Sequence, residues 1–209
     1  MTLADKVTST RLVIAPVFFI FYLLPMFFPS IFAVPSAINE GIPLVIGAPW
    51  TVPILWILFV ASGITDLLDG IIARKRKEVS DFGKFFDPFA DTLTQITYFF
   101  CFVIDGILPP ILFLAVLYRE FSILFIRNLM LKKGITLGAR MGGKLKTVTY
   151  ILAGALALLA SSAARLGIGG NFYRILTMAA VGVFIVSVLL AVVSFFDYVS
   201  VYNKTPEKM

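Results

Sequence analysis

The chain has 209 residues, no histidine, a single cysteine and charged side chains at only 14% of its positions. Without imidazole, and with Cys101 lying inside an apolar run, zinc sites built on His or Cys are nearly excluded. Histidine acid–base chemistry is excluded too, so any general base has to be a carboxylate or another side chain. One cysteine also rules out an intrachain disulfide framework. In place of charge the chain has apolar residues, at 59%, with a mean hydropathy of +0.96. That is the composition of a polytopic membrane protein rather than of a soluble core. A single domain over residues 1–209 is expected. No cleavable signal peptide is evident, since the first apolar run continues without a convincing small-residue cleavage site. No short repeat is evident either.

Apolar runs cover residues 12–32, 51–74, 87–103, 111–130, 145–164 and 175–198. About 20 residues span a bilayer core, so the expected fold is all-α: an integral membrane bundle of six transmembrane helices. Residues 1–11 form a short polar segment with Lys6 and Arg11, in which Thr8, Ser9 and Thr10 can cap a helix. It is expected to lie at the membrane interface before the chain turns in. Asp105, Gly106, Pro109 and Pro110 mark a tight turn.

The net charge of +6 would suit nucleic acid, but its distribution fits membrane topology and anionic lipid instead. Of the 18 Lys and Arg residues, only Arg165 and Arg174 fall on one side of the six-span arrangement, and Arg119 falls within a run. The rest, including Lys6, Arg11, Arg74, Lys75, Arg76, Lys77, Lys133, Arg140 and Lys144, gather on the other side. The positive-inside rule then places both termini on the cytoplasmic face of the cell's inner membrane. Orientation is the main role expected for Lys75, Arg76 and Lys77.

Carboxylates are few, and four of them are clustered. Asp66 and Asp69 close the second apolar run, and Asp87 and Asp91 open the third. At 100° per residue, Asp66, Asp69, Gly70 and Ala73 share one narrow helical face. Asp87 and Asp91, four apart, share a face of the next helix. Two such faces joined by a short connection can converge on one point at the cytoplasmic end. Ionised carboxylates near apolar surroundings need a cation, and an all-oxygen donor set suits Mg²⁺, Mn²⁺ or Ca²⁺. Gly70 and Ala73 leave room for a ligand to approach the backbone, and Arg74 can hold phosphate oxygens bidentately. End-capping and snorkelling charges are the bland alternative, and they rarely put four acids and two small residues on inward faces.

The pattern D-x2-D-G-x2-A-R-x8-G-x3-D-x3-D, filled here by Asp66, Asp69, Gly70, Ala73, Arg74, Gly83, Asp87 and Asp91, resembles the signature of the CDP-alcohol phosphotransferases. The resemblance implies attack of an alcohol on the β-phosphate of a CDP-linked substrate, with CMP leaving. It implies two divalent ions, Mg²⁺ or Mn²⁺, on Asp66, Asp69, Asp87 and Asp91, with Asp91 as catalytic base. It implies Gly70, Ala73, Arg74 and Gly83 around the CDP moiety, and a homodimer.

Beyond the signature, Arg119 is a permanent charge deep in an apolar run and needs an anionic partner. Arg127, eight residues on, points to roughly the same side. Glu120 is one candidate partner, and an anion of the substrate is the more informative one. The segments Tyr118-Arg119-Glu120-Phe121, Arg127, Lys133-Gly134 and Gly143-Lys144-Leu145-Lys146-Thr147, with Lys6-Val7-Thr8-x-x-Arg11 and Pro16, are similar to the bacterial phosphatidylglycerophosphate synthases. Thr92 departs from them, standing where those synthases often carry Lys. This narrower resemblance implies CDP-diacylglycerol and glycerol 3-phosphate as substrates, and an acceptor-phosphate site of Arg119, Arg127 and Lys144 with Thr8. The alternatives are the same reaction with inositol phosphate, serine or choline, or an ion-coupled transporter whose membrane acids bind cations.

Overall fold

The computed structural model describes residues 3–28, 48–76, 81–132 and 141–204. Within these, the side chains of residues 3–6, 67, 69–76, 81, 82, 84, 85, 132, 141–144, 203 and 204 are outside the description. The described residues form six helices: α1 (Leu3–Phe27), α2 (Thr51–Arg76), α3 (Asp81–Ile104), α4 (Pro110–Lys132), α5 (Met141–Arg165) and α6 (Gly170–Lys204). No strand occurs among them, so the all-helical expectation holds.

Two boundaries differ from the sequence reading. The N-terminal segment is continuous with the first helix: α1 runs unbroken from Leu3, through Pro16, to Phe27. The reason is that Thr8 and Arg11 are buried, so this turn belongs to the packed face. The third helix starts at Asp81 rather than near Asp87, which makes Gly83 a buried helical residue and not part of a loop.

Three helices contain stretches long and apolar enough to cross a bilayer: Val7–Phe27 in α1, Leu145–Arg165 in α5 and Gly170–Tyr202 in α6. In α2 the apolar stretch Thr51–Asp66 is shorter. Charges interrupt α3 and α4, at Asp87 and Asp91 and at Arg119, Glu120 and Arg127. The outer surface is apolar: Val13, Ile20, Ile57, Ile64, Phe125, Ile175, Met178 and Val193 are all exposed. Water would penalise such a surface and lipid does not. The chain is a membrane protein.

The core draws on every helix. Phe18 and Tyr22 of α1 meet Tyr98 and Phe102 of α3 in aromatic contacts, and Phe99 of α3 packs on Phe184 of α6 and Tyr150 of α5. Ala153, Ala157, Ala160 and Ala164 form a buried small-residue stripe on α5, the kind of surface that lets membrane helices approach closely.

The expected turn at Asp105–Gly106 is present. Gly106 N–H bonds Val103 O at 3.0 Å and Ile107 N–H bonds Phe102 O at 2.9 Å, with Gly106 at φ 72°. This is a Schellman cap, in which glycine takes the left-handed position. Gly167 at φ 73° closes α5 in the same way.

At the end of the bundle where α3 and α5 finish, a buried polar cluster ties four elements together. Arg165, 1% exposed, donates to Thr51 Oγ1 at 2.9 Å, Tyr22 O at 3.0 Å and Ser161 Oγ at 3.2 Å. Its guanidinium lies 4.4 Å from the centroid of the Tyr22 ring. The Tyr22 hydroxyl donates to Asp105 Oδ2, and Ser161 donates to the same oxygen at 2.9 Å. These bonds lock one end of the bundle and leave the other for chemistry.

Candidate active site

At the opposite end, α1, α2 and α3 bring carboxylates together through α1. Buried residues of α1 recur at Thr8, Arg11, Ala15, Phe18 and Tyr22, a spacing of three and four that keeps one face inward. The first two are polar and meet acids. Arg11 Nη1 donates to Asp66 Oδ1 of α2 at 2.6 Å and also to Asp91 Oδ1 of α3. Thr8 Oγ1 donates to Asp87 Oδ1 of α3 at 2.8 Å. The Arg11 side chain is 2% exposed, whereas those of Asp66 and Asp91 are 45% and 38% exposed. The acids therefore face open space while most of their counter-charge is covered.

That open space is a cavity of about 290 Å³. Arg11, Asp66 and Asp91 line it, as do Gln95 and Tyr98, and so do Arg119, Glu120, Arg127 and Lys146. Phe59, Ile123 and Ile151 supply apolar wall. Gly154 belongs to this wall, and a Cβ there would stand 3.3 Å from the Phe59 ring, so glycine sets how closely α5 approaches α2.

The cationic end is a buried network. Glu120 Oε1 accepts from Arg119 Nη1 at 2.9 Å, Lys146 Nζ at 2.8 Å and Tyr150 Oη at 3.2 Å. Arg119 also donates to Ala191 O at 3.0 Å and Ser194 Oγ at 3.3 Å on α6. Arg127 Nη2 lies 3.4 Å from Tyr198 Oη, its guanidinium 5.7 Å from that ring's centroid. Charge-assisted bonds of this kind hold long side chains in one arrangement. The network points Arg119, Arg127 and Lys146 at one volume.

Of the residues expected at the site, the structure brings Asp66, Asp91, Arg119 and Arg127 to one cavity. Thr8 stands with the carboxylates, on Asp87, and is not among the residues lining the cavity beside Arg119. Gly83 is buried in α3. The side chains of Asp69, Arg74 and Lys144, and the surroundings of Gly70 and Ala73, lie outside the described residues, as do Lys77 and Lys133 altogether. Glu120 does pair with Arg119, although the two are neighbours on one helix, because both side chains are long enough to bridge the angle between them. Lys146, Tyr150 and Arg11 were not singled out as site residues. Each lies on a buried stripe: Lys146, Tyr150, Ala153 and Ala157 on α5, and Thr8, Arg11, Ala15 and Phe18 on α1. A polar residue at a stripe position was the available signal.

The donor chemistry fits a divalent cation. Asp66 and Asp91 already place one oxygen each on a single cationic nitrogen, so they can share a cation. Among the described residues no group of three acids is drawn close enough to hold an ion. Asp69, the fourth acid of the pattern, has its side chain outside them.

Comparison with known proteins gives the family. The family model described as CDP-alcohol phosphatidyltransferase matches residues 1–196. A Treponema pallidum protein named CDP-diacylglycerol–glycerol-3-phosphate 3-phosphatidyltransferase is 39% identical over 97% of this chain and 89% of its own length. A Bacillus subtilis protein of the same name is 32% identical over 75% of this chain and 76% of its own. A Mycobacterium tuberculosis protein named probable phosphatidylglycerophosphate synthase is 31% identical over 70% of this chain and 65% of its own.

Proposed function

This chain belongs to the CDP-alcohol phosphatidyltransferase family, and we propose that it transfers the phosphatidyl group of CDP-diacylglycerol to glycerol 3-phosphate. The products are CMP and phosphatidylglycerophosphate, a step of phospholipid biosynthesis. Family membership decides between transferase and cation transporter in favour of the enzyme.

The observation that carries the acceptor is a cavity lined both by Asp66 and Asp91 and by a cation cluster. That cluster is Arg119, Arg127 and Lys146, with Glu120 accepting from Arg119 and Lys146. Three cations and one anion leave two positive charges in excess among these residues. A phosphate monoester carries about −1.5 to −2 near neutral pH and matches that excess. Serine's carboxylate comes with an ammonium beside it and no net charge to match the excess, and choline's ammonium would be repelled.

Asp66, Asp69, Asp87 and Asp91 would hold Mg²⁺ or Mn²⁺, two ions by the family's pattern. When bound, they would supply charge neutralisation for the diphosphate oxygens and the leaving CMP. Arg74, Gly70, Ala73 and Gly83 are assigned to the CDP moiety. Arg119, Arg127 and Lys146 hold the acceptor phosphate, with Lys144 as a further cation and Thr8 serving through Asp87. Held there, the acceptor directs its free hydroxyl toward Asp91. Asp91 takes the hydroxyl proton as the oxygen forms its bond to the β-phosphorus and the bond to CMP breaks. Orientation across one cavity supplies much of the rate.

The protein is assigned to the cytoplasmic membrane with six spans, both termini and the acidic cluster on the cytoplasmic face, and to a homodimer, the commonest closed assembly. The test of the activity is release of CMP from CDP-diacylglycerol by the purified protein. Release that depends on glycerol 3-phosphate supports the assignment, and release without any acceptor, or none at all, contradicts it.

A further inference from the structure

Arg11 is buried at the acidic end, 2% exposed, and its charge is permanent. It comes from α1, which carries none of the four acids. Its Nη1 joins one oxygen of Asp66 to one oxygen of Asp91, which ties α2 to α3. Those two oxygens are then engaged with a cation. A divalent ion placed between Asp66 and Asp91 competes for the same two carboxylates and is repelled by the same guanidinium. Thr8, one turn earlier on the same face, holds Asp87 with a neutral hydroxyl and presents no such charge.

We propose that Arg11 is a placeholder cation: a positioning residue that holds Asp66 and Asp91 together before a divalent ion arrives and is displaced from them when it binds. This rests on the reading that these carboxylates hold a divalent ion. The arrangement solves an assembly problem. Several ionised acids converging at a membrane helix end repel one another, and a resident guanidinium lets the helices pack before metal is taken up. The same contact then weakens metal binding, because the ion has to break it. Divalent-ion affinity is thereby set by α1 as well as by the ligands.

The test is Mn²⁺ binding to the purified full-length protein in detergent, without substrates, followed by the electron paramagnetic resonance of free Mn²⁺. R11Q is expected to bind Mn²⁺ about tenfold more tightly than wild type, a difference of about 1.4 kcal/mol. Without metal R11Q should melt below wild type, and Mn²⁺ should raise its melting temperature by more. T8V, which removes no charge, should show no gain in affinity. R11Q binding Mn²⁺ no more tightly than wild type, or more weakly, overturns the proposal and makes Arg11 a fixed support of the ligands. If R11Q does not fold, R11K decides: it keeps the charge but not the planar fork, so a gain smaller than tenfold is expected and no gain overturns the proposal. Failure of the underlying reading looks different, since wild type would then show no Mn²⁺ binding that D66N removes.

Discussion

Lys146 of α5 sets its Nζ 2.8 Å from Glu120 Oε1 on α4, and Arg119 and Tyr150 converge on that same oxygen. One acid thus organises cations from two helices, and α6 fixes Arg119 from behind through Ala191 O and Ser194. A buried carboxylate with three donors is well satisfied. Its second effect is to hold Arg119 and Lys146 in place when no acceptor phosphate is there to do so.

Replacing Arg119 by Ala, or Lys146 by Gln, should raise the acceptor KM by about tenfold or more. A charge-assisted contact is worth about 1.5–3 kcal/mol, and about 1.4 kcal/mol is a factor of ten. The KM for CDP-diacylglycerol should stay within about twofold, because that substrate is held at the acidic end. Steady-state kinetics with each substrate varied in turn checks this. Equal effects on both KM values, or an unchanged acceptor KM, would remove the phosphate role from these residues.

Asp91→Asn should lower kcat by about a hundredfold or more, the usual worth of a general base. Asp66→Asn should also abolish nearly all turnover, through loss of the ion. Both variants should still fold, with a lowered melting temperature, since each removes one of two carboxylates paired with the buried Arg11 and leaves the other. Exhaustive chelation should stop the wild-type enzyme and Mg²⁺ or Mn²⁺ should restart it. Full activity after chelation would contradict the metal assignment.

Labels at Lys77, Lys133 or the tail after Tyr202 should be reached only from the cytoplasm, and a label at Glu40 only from outside. The reasoning is the one-sided distribution of Lys and Arg. Accessibility of Glu40 and Lys77 from the same side would mean that α2 does not cross, and the six-span assignment would fail.

Arg165→Gln should lower the melting temperature of the purified protein without a selective effect on either substrate's KM. Thr51, the Tyr22 carbonyl and Ser161 would each lose a donor, and an unsatisfied buried group costs about 1–3 kcal/mol. An unchanged melting temperature would show that the cluster adds nothing to stability.

The all-helical fold was legible because 59% apolar composition and run length constrain a bilayer protein to helices. The turn at Gly106 was legible because its glycine is required at positive φ. The acidic cluster was legible as spacing, since residues three and four apart share a helical face. What spacing could not give is which polar residues of other helices meet that face. Arg11 and Asp91 are joined across 80 residues, a relationship set by how α1 packs on α3. Between Lys144 and Lys146 the sequence offered two cations about 200° apart on one helix. Lys146, in register with Tyr150 and the alanine stripe, turns toward Glu120. The boundary of α3 was placed late because Asp81, Gly83 and Lys84 read as loop chemistry, while the polar membrane end lets the helix continue through them.

The central claim is that an anionic acceptor is bound by the cationic end of the cavity and used by the acidic end. The most direct measurement is a competition among acceptors: purified enzyme, labelled CDP-diacylglycerol, and glycerol 3-phosphate mixed with glycerol, serine, choline and inositol phosphate at equal concentration, with the lipid products separated and weighed by mass. The account predicts phosphatidylglycerophosphate as the dominant product, sharply reduced in Lys146→Gln. Preferred use of glycerol, serine or choline would contradict it.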